Sequence, residues 1–72
     1  MNKYIIPVCD LVEANIWLNK YLARSISECQ DKIMQEFSDE YDEDFVDYCK
    51  FLDVMDKKYN IAIGEITDIE IL

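Results

Sequence analysis

Residues 10–25, DLVEANIWLNKYLARS, decide the fold. Read with a period of 3.6 they form an amphipathic helix. Asp10 and Glu13 stand at capping-box spacing, and Leu11, Ala14, Leu18, Tyr21 and Leu22 share a stripe. Read with a period of two they form a turn at Val12 to Asn15 and a strand from Ile16 to Arg24. That strand puts Ile16, Leu18 and Leu22 on one face and Trp17, Tyr21 and Ala23 on the other. The residues just downstream favour the hairpin. Ser25 and Glu28 make a second capping box, and a fresh helix start there requires a break just before it.

Upstream, KYIIPVC (residues 3–9) reads as a strand rich in β-branched and aromatic side chains. Tyr4, Ile6 and Val8 share one face, and Ile5, Pro7 and Cys9 the other. Pro7 has no N–H to give to a ladder, so the strand is expected at a sheet edge or with that position turned outward.

Downstream, SISECQDKIMQEF (residues 25–37) predicts a helix with Ile26, Cys29, Ile33 and Phe37 as its apolar stripe and a Glu28–Lys32 pair on its wet side. A second helix is expected from about Glu43 to Tyr59. Phe45, Tyr48, Cys49, Leu52 and Met55 form its buried stripe, Lys57 and Lys58 suit its last turn, and Asn60 is a left-handed stop. The tail IAIGEITDIEIL (residues 61–72) predicts one strand, with Ile61, Ile63, Ile69 and Ile71 on one face, Ile66 on the other, and a bulge or bend at Gly64.

The expected order is β-β-α-α-β: a small α+β two-layer domain with an antiparallel three-stranded sheet packed on two helices. All 72 residues form a single domain, 1–72, and the 51% hydrophobic share is ample for one small core. Two helices cover only one face of such a sheet, yet both faces of the first two strands read as apolar. A second copy or another partner over the far face would reconcile the two, as would the helical reading of residues 10–25.

Several classes of function are disfavoured. No apolar run approaches the roughly 20 residues of a membrane span. Asp10 and Glu13 interrupt the N-terminal apolar run too soon for a signal peptide. The chain has no histidine, and Cys9, Cys29 and Cys49 form no C-x-x-C pair, so the three thiols read as small buried hydrophobes of a reducing cytosol. A Cys–His nucleophile is excluded and no cofactor is expected. The seven basic residues are scattered, which disfavours direct binding of nucleic acid. Trp17, Tyr21, Phe37, Phe45, Tyr48 and Phe51 read as core rather than as a stacking platform.

Charge is concentrated in EFSDEYDEDFVD, residues 36–47. Glu36, Asp39, Glu40, Asp42, Glu43, Asp44 and Asp47 carry −7 of the net −9, which leaves −2 for the remaining residues. Were the stretch helical, eleven steps of about 1.5 Å would place one charge per about 2.4 Å. Duplex DNA carries one per roughly 1.7 Å, whereas an extended chain would give one per about 5 Å. A helical array therefore approaches the density of a phosphate backbone and suits a partner with a basic nucleic-acid-binding channel. The plainer reading gives Asp42, Glu43 and Asp44 to the first turn of the second helix and lets Glu36, Asp39 and Glu40 solvate the connection. Calcium is excluded: a loop counted from Asp42 has Val46 at a ligand position and Asp47 where glycine is required.

The run from Tyr21 to Ile33, thirteen of the 72 residues, resembles a strand-to-helix joint of small mobile-element domains, the DpnD/PcfM-like group among them. Ala23 ends the strand, Ser25 caps the helix, Glu28 closes the capping box, and Cys29, Lys32 and Ile33 complete the pattern. The stretch from Phe37 to Tyr59 departs from those shorter proteins. The resemblance implies a phage or mobile-element origin and residence in a bacterial host cytosol. In type the chain is also similar to small acidic anti-CRISPR and other anti-defence proteins. The expectation is a non-enzymatic inhibitor whose seven clustered carboxylates dock on a host protein. The alternative is a homodimeric assembly module whose sheet faces pair through Ile5, Trp17 and Tyr21.

Overall fold

A computed structural model describes residues 1–71. The elements are β1 (Asn2–Asp10), β2 (Asn15–Ala23), α1 (Ile26–Tyr41), α2 (Tyr48–Tyr59), β3 (Ile61–Ile63) and β4 (Thr67–Ile71). This is the expected α+β order, with the hairpin rather than the helix at residues 10–25. The last strand is broken at Gly64, and its two pieces both pair antiparallel with β1 along the same side.

The hairpin is set by local chemistry. Asp10 Oδ1 accepts from the backbone N–H groups of Val12 (2.9 Å) and Glu13 (3.2 Å), and Ala14 turns left-handed at φ 59°. The carboxylate that suggested a helix cap thus caps a turn, because both need an acceptor two to three residues ahead.

Pro7 does not lie at an edge. β1 is the central strand, with β2 on one side and β3 and β4 on the other. The Pro7 carbonyl accepts from Gly64 N–H at 2.8 Å, so the missing Pro7 N–H points to that same side. There the register steps by one residue between the β3 and β4 pairings. The proline sits opposite this irregularity, at Gly64, where the strand breaks and only the reciprocal bond of that one pair is forgone.

Tyr4, Ile6 and Val8 are buried on the helix-covered face, with Ala23, Cys29, Ile33, Phe37, Phe51, Met55 and Ile61. Phe45, Tyr48 and Leu52 are half-buried against this core, as expected. Four expected core members are not buried: Cys9 is only half-buried, on the sheet face that the helices leave open, and three others are exposed. Ile26 is exposed on the first turn of α1, Cys49 is exposed on α2, and Trp17 lies at 41% exposure near the hairpin end.

α1 runs four residues past its expected end because the stripe Cys29–Ile33–Phe37 continues to Tyr41. Phe37 packs edge-on against Phe51 (5.7 Å between ring centres) and Tyr41 against Tyr59 (4.6 Å). The helix ends at Asp42, left-handed at φ 55°, with the Glu43 N–H on the Ser38 carbonyl in a Schellman closure. The second helix begins at Tyr48, not Glu43. Asp47 is its N-cap, accepting from Cys49 and Lys50 N–H at 2.8 and 3.2 Å, and Asn60 stops it left-handed at φ 57°.

The far face of the sheet is open. Cross-strand register groups Ile5, Pro7 and Cys9 of β1 with Ile16, Leu18 and Leu22 of β2. Neither helix covers them. Ile5 therefore faces away from Trp17 and Tyr21, which lie on the helix side, so these three cannot form one dimer face.

Candidate functional site

The seven carboxylates divide by what they touch. Three belong to the fold. Glu36 accepts from the Tyr21 hydroxyl at 3.1 Å, which ties α1 to β2. Burial, with further help from Glu36, pushes the Tyr21 phenol far above its ordinary value, so it remains a donor. Glu43 accepts from both Lys58 and the Tyr59 hydroxyl. The Lys58 bond, then the Tyr59 bond, holds its carboxyl below the ordinary value, while Glu43 in turn raises Lys58. Asp47 is committed to capping α2.

The other four, Asp39, Glu40, Asp42 and Asp44, are exposed. Among the described residues, no Lys or Arg forms an ion pair with any of them. Asp39 takes one hydrogen bond, from Gln35 Nε2 at 3.1 Å, within the helix.

Only Glu36, Asp39 and Glu40 have helical spacing, because residues 43–47 have no regular secondary structure. The single acidic helix that DNA-like density required is not formed. Instead the left-handed turn at Asp42 folds the chain back. Asp39, Asp42, Glu43 and Asp44 then line one open depression of about 500 Å³ with Ser38. The Ser38 hydroxyl donates to the Glu43 carbonyl and pins the fold-back. Charge is gathered into a knob rather than spread along a rod.

Two features escaped the sequence reading. Val46 is 89% exposed beside the knob, in the irregular segment that stands in place of the expected first turn of the second helix. A second concavity of about 480 Å³ lies between Ile26 and Gln30 of α1, Tyr48 and Leu52 of α2, and Ile63 and Ile66. It explains the exposure of Ile26, which lines its rim rather than the core. Among the described residues no cluster of His, Cys, Asp or Glu is placed to hold a metal ion, and no helix is long and apolar enough to cross a membrane.

No family model matches this chain, and searches of curated proteins and of solved structures return no significant similarity.

Proposed function

We propose that the protein is a non-enzymatic inhibitor of phage or mobile-element origin. In this reading it acts in the bacterial host cytosol and docks its acidic knob on the basic nucleic-acid-binding surface of a host defence nuclease complex. The observation that carries it is the set of four exposed carboxylates without basic partners, Asp39, Glu40, Asp42 and Asp44, beside the bare side chain of Val46. Unscreened charge of one sign steers a partner of opposite sign, and an apolar contact at its margin adds short-range affinity that salt does not remove. Glu36, Glu43 and Asp47 support the knob instead of facing the partner. The test is a pull-down from bacterial lysate at low and high salt with the wild type and with Asp39→Lys/Glu40→Lys/Asp44→Lys. The reading requires a nucleic-acid enzyme that elutes with salt and is lost with the triple variant. Unchanged capture by that variant would sink it.

A second reading, a homodimeric assembly module without mimicry, draws on the open sheet face. Ile16, Leu18 and Leu22 stand there at 72, 54 and 53% exposure. Apolar side chains grouped in this way mark interaction surfaces. A protein that sediments as a monomer at every concentration would remove this reading.

A further inference from the structure

We infer that two copies join edge to edge through β2, antiparallel, about a two-fold axis at Leu18, so that their sheets become one. This rests on the self-assembly reading and specifies how the copies meet. Leu18 lies opposite Pro7, whose carbonyl is turned to Gly64 on the other side of β1. The Pro7–Leu18 pair is thus a non-hydrogen-bonded one, and the N–H and C=O of Leu18 point out of the sheet. The same alternation turns Ile16, Lys20 and Leu22 outward. Lys32 Nζ supports it independently by reaching the outer carbonyl of Leu22.

The free edge is bounded at both ends. Lys32 occupies Leu22, and beyond Asn15 the chain departs into the turn at Leu11–Ala14. What remains is Ile16, Leu18 and Lys20, symmetric about Leu18. A two-fold there sets Leu18 against the partner's Leu18 and Ile16 against the partner's Lys20. Each N–H of these three residues then meets a carbonyl of the other copy, and no like charges stand directly opposite. An edge this long and apolar on one face is otherwise an open template for strand addition.

Stacking the open faces is the rival arrangement. Lys3 and Lys20 both stand on that face; Glu70 of β4 lies opposite Lys3 in the register, whereas Lys20, on the outer strand, lies opposite Ile5. Stacking would take the Lys20 ammonium out of water, which is costly. Edge joining leaves it in water.

α1 reaches this edge through Lys32 and Glu36, so the two α1 helices flank the axis on the same side of the joined sheet. Their carboxylates repel, and self-association strengthens as salt is added. This is the opposite sign to acidic docking on a basic partner.

The test is sedimentation of the 8.6 kDa wild-type chain, of Leu18→Lys, of Leu18→Glu, and of the two variants mixed in equal amounts. The expected result is a wild-type dimer of doubled mass, favoured by salt, two monomeric variants, and a dimer restored in the mixture. Leu18 is 54% exposed, so both variants keep the wild-type circular dichroism. In the wild type the amide protons of Ile16, Leu18 and Lys20 also exchange more slowly as concentration rises. A wild type monomeric in all conditions overturns both the edge joint and the self-assembly reading. Dimers that persist in both variants overturn the joint alone. Monomeric variants that do not pair when mixed overturn the axis at Leu18.

Discussion

Gly64 lies against the ring of Pro7: a Cβ built on Gly64 would come within 3.2 Å of Pro7 Cγ and 3.3 Å of both Cβ and Cδ. Its φ is not positive, so close approach rather than backbone freedom calls for glycine here. All three contacts are to a rigid ring on the central strand, which cannot swing aside. Gly64→Ala gains about 0.4–1 kcal/mol by restricting the unfolded chain but overpacks at a cost of about 1–3 kcal/mol. A net loss of about 1 kcal/mol is expected in chemical denaturation. A gain would mean that the β3–β4 connection yields without strain.

Ala14 presents the opposite case. Its φ of 59° places a Cβ in the left-handed region, where an L-residue is disfavoured by about 1–2 kcal/mol. The side chain is exposed and packs on nothing that glycine would forfeit. Ala14→Gly is expected to raise stability by up to about 1 kcal/mol after glycine's larger entropy loss. A lower denaturation midpoint would contradict this account of the turn.

Glu43 couples the loop to the last turn of α2 through Lys58 and Tyr59. Its carboxyl is held below the ordinary 4.5, so its contribution is complete above that value and is lost as pH falls through the lowered one. Lys58 is raised above 10.5, and its contribution is present at neutral pH and lost as pH climbs through the raised value. Both limbs are expected to flatten in Glu43→Gln, measured as melting temperature against pH. If the variant followed the wild-type acid limb, Glu43 would not be stabilised by these partners.

Asp47 and the exposed acids should separate cleanly. Asp47→Ala removes the acceptor for two N–H groups of α2 and is expected to lose about 1 kcal/mol. Asp39→Lys/Glu40→Lys/Asp44→Lys removes like-charge repulsion and should leave stability unchanged or raised. Salt should raise the melting temperature of the wild type, and less so that of the triple variant. A flat wild-type response would show that the knob is already neutralised.

Much of this molecule was legible in local sequence. Alternation placed Tyr4, Ile6 and Val8 on the buried face, Ser25 and Glu28 marked the start of α1, and Asn60 marked the end of α2. Each depends on neighbours within about four residues, which the sequence displays directly. The acidic site was legible only as composition. Whether Glu43 begins a helix depends on Lys58 and Tyr59, fifteen and sixteen residues away, and on a fold-back that only the packed chain closes. Pro7 was misplaced for the same reason. Its missing donor forbids a ladder bond but does not say which side of the strand lacks one, and that was decided by the break at Gly64. Sequence alone determines what each residue can satisfy locally. Which carboxylates remain free, and which edge of the sheet remains open, is decided by long-range partners that exist only once the sheet and helices have met.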